Sequence, residues 1–120
     1  MTEKEILALR EEFSQNELYK KSCSPYKDCQ FEQFSADGEI LEGRHGKTDV
    51  INGKERYVIF TFKNGLIHSQ DGMAAVECPN HWEWWNNGLL EKVIDNDAGV
   101  EEIWKDGVPI SISERTDTEK

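Results

Sequence analysis

The sequence predicts an α+β fold, with an N-terminal amphipathic helix packed on an antiparallel β-meander of repeated hairpins. Three observations point there. Apolar residues recur at helical spacing behind a capping signal at the start of the chain. From residue 30 onward, Asn-Gly and Asp-Gly dipeptides separate short apolar runs. Three of those turns also share a longer pattern. At 120 residues the chain can bury one core, so a single domain over 1–120 is expected. Within it fall a helical segment over about 3–22, the meander over about 30–113 and a frayed tail over 114–120.

The helix begins at "TEKE" (2–5), where Thr2 can accept from the third helical N–H while Glu5 reaches back to Thr2. Ile6, Leu9 and Phe13 follow at helical spacing, and Leu7 widens the stripe, which predicts a helix over about 3–14. "NELYKK" from Asn16 reads as a second turn or a continuation. "SCSPYKDC" (22–29) is a loop, because Pro25 disfavours helix at Ser24.

Six dipeptides then punctuate the chain: Asp37-Gly38, Asn52-Gly53, Asn64-Gly65, Asp71-Gly72, Asn87-Gly88 and Asp106-Gly107. Between apolar runs such pairs are the strongest local signal for hairpins, since their turns need positive φ. The runs are "RYVIFTF" (56–62), "MAAVE" (73–77), "WEWW" (82–85), "LLEKVI" (89–94) and "VEEIW" (100–104). "VPISIS" (108–113) is the last strand, and Pro109 places it at an edge or at its own start.

Three turns sit in related surroundings: "FKNGLIH" (62–68), "WNNGLLE" (85–91) and "WKDGVPI" (104–110). Each reads aromatic, polar, Asn or Asp, Gly, then two largely apolar residues, with the glycines 23 and then 19 residues apart. Such self-similarity suggests one hairpin unit used repeatedly, each copy too small to bury its own face. "FKNGLIH", the 23-residue step and "DGMAAVECPNHWEWWNNG" resemble MORN-type β-hairpin repeats, in the divergent form of bacterial and phage proteins, over about residues 57–110. The resemblance implies an elongated antiparallel meander used for binding proteins or lipids, with no shared catalytic residue. The family usually has a small residue two positions before the aromatic; here Phe60, Glu83 and Glu102 stand there.

Charge is uneven along the chain. Residues 1–70 hold 12 acidic and 10 basic side chains, whereas residues 71–120 hold 12 and 4, so most of the net −10 lies in the second half. A field of that sign repels nucleic acid and anionic membranes and attracts basic protein surfaces. Its plain alternative is a solvated face that maintains solubility. The N-terminus lacks the basic and apolar regions of a secretory signal, and no apolar run is long enough to span a bilayer. A cytoplasmic protein is therefore expected. Cys23, Cys29 and Cys78 are an odd number, which argues against a disulfide framework.

No catalytic signature or cofactor motif is visible. His45, His68 and His81 lie in no recognisable arrangement with a nucleophile, and "EGRHGK" is too short and irregular for a phosphate-binding loop. "DNDAGVEEIWKD" (95–106) alternates carboxylates as a calcium loop does, but Gly99 is fifth rather than sixth and strands flank it. Cys78 and His81, with Cys23 and Cys29, offer a zinc set. The spacing disfavours that alternative, because the pairs lie about fifty residues apart and Pro79-Asn80 is needed as a turn.

Two features remain. Glu77, Glu83, Glu91, Asp95, Asp97, Glu101, Glu102 and Asp106 face only Lys92 and Lys105 in sequence. On a meander such carboxylates can align in rows, imitate a phosphate backbone and compete for a basic groove. The other feature is "WEWWNNG" (82–88). Trp85 aligns with Phe62 and Trp104 and is expected in the core, which turns Trp82 and Trp84 to the opposite side. That side is expected under the helix, through Ile6, Leu9 and Phe13; left open, it would be a hot spot for a partner. Together these features predict a non-enzymatic acidic protein-binding module that engages a basic, nucleic-acid-binding protein through its C-terminal half. Its most specific form is a small inhibitor or antagonist, anti-CRISPR-like or immunity-like. The alternative is a structural or assembly module that forms oligomers, a homodimer among them, through hairpin edges and exposed aromatics.

Overall fold

The computed structural model describes residues 2–29, 32–51 and 53–114. Two short helices precede an antiparallel sheet. Helix α1 spans Glu3–Phe13 and opens on the expected capping box: the Thr2 hydroxyl accepts from the Glu5 N–H, and the Thr2 N–H donates to Glu5 Oε1. "NELYKK" is a separate helix, α2 (Glu17–Lys21), because Asn16 supplies a cap of its own by accepting from the Leu18 N–H at 2.7 Å.

The sheet has eight strands: β1 (Gly43–Ile51), β2 (Lys54–Lys63), β3 (Leu66–Ile67), β4 (Val76–Cys78), β5 (His81–Asn86), β6 (Leu89–Asp95), β7 (Val100–Lys105) and β8 (Val108–Glu114). Its order is β1-β2-β4-β5-β6-β7-β8, with β3 paired to β2 off that path. The expected strands at 82–85, 89–94, 100–104 and 108–113 are present, while "MAAVE" contributes only its end to β4. Pro109 lies in the edge strand β8, where its missing N–H costs no ladder bond on the open side. Strand β8 reaches Glu114, one residue into the stretch expected to fray, and residues 115–120 lie outside the described residues. At Asn87-Gly88 and Asp106-Gly107 both turn residues take positive φ, which the two-residue connections β5–β6 and β7–β8 require.

Both of these hairpins contain a register shift in the same place. In the first, Trp84 pairs with Lys92 but Trp85 pairs with Leu90, so Glu91 is an extra residue. In the second, Ile103 pairs with Ser111 but Trp104 pairs with Pro109, so Ile110 is extra. Each extra residue stands three positions after the turn glycine.

One face of the sheet forms the core. Val58, Phe60, Phe62, Val76, Trp85, Leu90, Val93 and Trp104 are buried there. The N-terminal segment closes it: Tyr19 of α2 meets Trp104 edge-on at 5.6 Å, and Tyr26 meets Phe60 edge-on at 5.1 Å. Arg10 of α1 donates to the Gly88 carbonyl at 2.7 Å, which ties the helix to the β5–β6 turn.

The placement of the helical cover therefore differs from expectation. Trp85 is in the core, 1% exposed, as its alignment predicts. Trp82 and Trp84 face the other way, as alternation predicts, but the helices lie over the Trp85 and Trp104 face rather than over them. The reason is polar. Glu102 on the inner face accepts from Ser22 Oγ and the Cys23 N–H, and so fixes the end of α2 on that side.

Candidate functional site

Glu83 and Glu102 are both 0% exposed. A buried carboxylate is costly unless its oxygens are satisfied by donors. Each accepts from the indole two residues further along its own strand, since side chains at i and i+2 share a face. Trp85 Nε1 donates to Glu83 Oε1 at 2.9 Å, and Trp104 Nε1 donates to Glu102 Oε1 at 3.0 Å. Glu102 also accepts from Ser22 Oγ at 2.7 Å and the Cys23 N–H at 2.6 Å. The surplus valence of Glu83 is met by His81, whose Nε2 lies 2.6 Å from Glu83 Oε2.

His81 stands at the start of β5, directly opposite Asp95 at the end of β6. Its Nδ1 lies 2.8 Å from Asp95 Oδ2, and Asp95 Oδ1 accepts from the Ala98 N–H at 2.7 Å. Burial works against the charged ring, but the hydrogen bonds and charges of Glu83 and Asp95 together outweigh it and raise the His81 pKa above its ordinary value. Cys23 completes the group: Cys23 Sγ, a His81 ring nitrogen and an Asp95 oxygen lie within 4.8 Å of one another. These residues line a cavity of about 420 Å³, with Cys78, Arg56 and Asp97 on its walls.

The trio has the composition of a nucleophile, base and orienting acid, but not the arrangement. Both nitrogens of His81 face carboxylates, which leaves neither to take a proton from the thiol. Burial first, and then the charges of Glu102, Asp95 and Glu83, push the Cys23 thiol well above its ordinary range. Burial likewise pushes the Cys78 thiol up to about 11. Of the four residues in the zinc set read from the sequence, the structure brings Cys23 and His81 together, and Cys78 stands opposite His81 in the β4–β5 ladder and lines the same cavity. Cys29 is not in that group; it lines a different cavity, with Tyr26, Phe60 and Phe62.

The eight carboxylates expected at the surface divide into distinct environments. Glu83 and Glu102 are core residues, so they belong to no solvent-facing row. Asp95 is engaged by His81. Glu77, Asp97 and Glu101 pair with Arg44 (2.9 Å), Arg56 (3.5 Å) and Lys92 (3.8 Å). Glu91 and Asp106 are exposed and make no ion pair among the described residues. No unbroken carboxylate row forms either. The cross-strand register on the outer face runs Ile59, Glu77, Trp82, Ile94, Glu101, Ser113, which interleaves acids with apolar residues.

That outer face is the second notable surface. Trp82 and Trp84 are each half-buried, the Trp84 indole donates to the Gly72 carbonyl at 3.0 Å, and Lys92 lies 5.2 Å above its ring. Tyr57, 59% exposed, and Ile103 belong to the same side of the sheet.

Among the described residues, no helix is long and apolar enough to cross a membrane. No protein-family profile matches the chain, and neither a curated protein nor a solved structure matches it.

Proposed function

We propose that this protein is a non-enzymatic, acidic protein-binding module that engages a basic partner through the outer face of its sheet. One observation carries the reading: the helices occupy the inner face, while Trp82 and Trp84 stand on the outer one between acidic residues. A patch with half-buried indoles at its centre and charge at its rim has the anatomy of an interaction hot spot. Trp82 lies between Glu77 and Ile94 in the register, and Glu101 follows Ile94. Glu91 and Asp106 extend the negative field at the turn end of the sheet. The most specific form of this reading is a small antagonist of a nucleic-acid-binding protein, in the manner of an anti-CRISPR or immunity protein.

The finer architecture belongs to the same proposal. The paired Glu-x-Trp units and the two bulges three residues after a turn glycine support a meander of repeated MORN-like hairpins, with Glu83 and Glu102 in place of the small residue.

Affinity capture followed by binding measurements with the recovered partner tests the function. Rim charges act mainly on association rate, so affinity should fall steeply between about 50 mM and about 500 mM salt as the Debye length shrinks. Equal affinity at both salts removes the electrostatic basis. A second reading rests on β1, a nine-residue edge strand that pairs, among the described residues, only with β2 and is exposed along most of its length. Such an edge can template pairing with another chain. Light scattering that shows a dilution-resistant dimer would favour that assembly role.

A further inference from the structure

The geometry points to a divalent transition-metal site, of the kind that takes zinc, formed by Cys23 Sγ, His81 Nδ1 and Asp95 Oδ2. The three residues come from the loop after α2 and from the two ends of the β5–β6 hairpin; Cys23 Sγ, a ring nitrogen of His81 and a carboxylate oxygen of Asp95 lie within 4.8 Å of one another, and His81 Nδ1 is 2.8 Å from Asp95 Oδ2. In a tetrahedral zinc site, bonds of about 2.0–2.3 Å hold ligand atoms roughly 3.2–3.8 Å apart. The group is therefore within a small adjustment of coordination geometry. Sulfur, nitrogen and oxygen donors together suit zinc or cobalt rather than calcium or magnesium.

The surroundings of the ligands are what separate this trio from a chance cluster. Metal-bound histidines usually donate their second N–H to a carboxylate, which fixes the tautomer and aims the other nitrogen at the metal. Glu83 does this here: it is fully buried, and its Oε2 holds His81 Nε2 at 2.6 Å. The remaining nitrogen, Nδ1, hydrogen-bonds Asp95 Oδ2 at 2.8 Å, and the metal would take the place of the proton between them and widen that contact. Cys23 is held in the same way by the other buried acid, since Glu102 Oε2 accepts its backbone N–H at 2.6 Å. Asp95 is fixed by the Ala98 N–H through its other oxygen. Thus each ligand is oriented by a partner that does not itself bind the metal, and Glu83 and Glu102 do so from equivalent positions in β5 and β7. All three residues line the cavity of about 420 Å³, so a further coordination position would open into it, toward Arg56 and Asp97. A metal there would also clamp the N-terminal loop to the sheet, beside the hydrogen bond from the Cys23 N–H to Glu102.

Equilibrium dialysis of the purified chain against zinc, with elemental analysis, should give one zinc per chain. The cobalt-loaded protein should show thiolate-to-cobalt charge-transfer absorption. Cys23→Ser should abolish that absorption and weaken zinc binding by more than about 100-fold, beyond the loss expected from an outer-shell partner. Asp95→Asn should weaken zinc binding without removing the absorption. Cys29→Ser should change neither. Circular dichroism confirms that each variant is folded, and the Cys23 backbone N–H that anchors the loop is unaffected by the serine. Substoichiometric zinc in the wild type, or unchanged zinc affinity in folded Cys23→Ser, would overturn the assignment.

Discussion

At the scale of single residues, the structure turns on two glutamates that the sequence presents as surface charge. Glu102 is the more connected, with three donors from three places in the chain: Ser22, Cys23 and Trp104. Removing it leaves those donors buried and unpaired and frees the N-terminal segment from the sheet. Glu102→Ala should therefore cost about 3–5 kcal/mol in a urea titration, while Glu102→Gln, which keeps one accepting oxygen, should cost less. Stability equal to wild type in Glu102→Ala would refute the tether. His68 supplies a pH dependence. Its Nδ1 accepts from the Asn87 N–H at 3.0 Å, which the protonated ring cannot do. Burial, and then the charge of Lys63, place its folded pKa below the ordinary 6.5. The folded state then binds the proton less tightly than the unfolded one, so this contribution is complete above 6.5 and is lost as pH falls through that value toward the folded pKa. Between about pH 7.5 and about pH 5.5, a window around the ordinary histidine value, wild type should lose more thermal stability than His68→Asn. Equal losses would show that the bond contributes nothing.

At the scale of elements, the hairpins were legible and their bulges were not. Asn87-Gly88 and Asp106-Gly107 announce two-residue turns through residue type alone, and the strands beside them lie where their apolar runs do. A regular ladder closed at Asn87-Gly88 would set Ile94 opposite His81. The extra residue, Glu91, shifts the register by one and brings Asp95 there instead. That shift assembles the candidate site, and its cause is a local backbone departure with no residue signature of its own. Strand β1 was missed for a different reason: it is an exposed edge strand, so solvent rather than a core selects its residues and no alternation survives. The side chosen by the helices was also not legible, because it depends on Glu102 being buried, and an acidic residue in a strand reads as solvent-facing. Deleting Glu91 tests the bulge. Without its extra residue the strand can pair as a regular ladder, with Trp85 still opposite Leu90 and His81 still opposite Asp95, so the urea midpoint should stay near wild type. Deleting the paired residue Val93 instead should slip the register, uncouple His81 from Asp95 and lower the midpoint sharply; equal midpoints in the two deletions would contradict this register.

At the scale of the whole molecule, the sheet has two faces with different work. The inner face holds Trp85 and Trp104 under the N-terminal segment, and truncating either indole should cost about 3–5 kcal/mol. The outer face holds Trp82 and Trp84 among paired charges, in a molecule whose net charge is −10. A surface of that kind gains speed and selectivity from its field and affinity from its indoles. The most direct test of this division is a comparison of stability and partner affinity in the double variant Trp82→Ala/Trp84→Ala. The variant should be a folded protein, with a urea midpoint near wild type, that binds its captured partner at least about 100-fold more weakly, as expected for loss of two hot-spot residues. A variant that unfolds, or one that stays folded and binds as tightly as wild type, would contradict the assignment of the outer face as the binding surface.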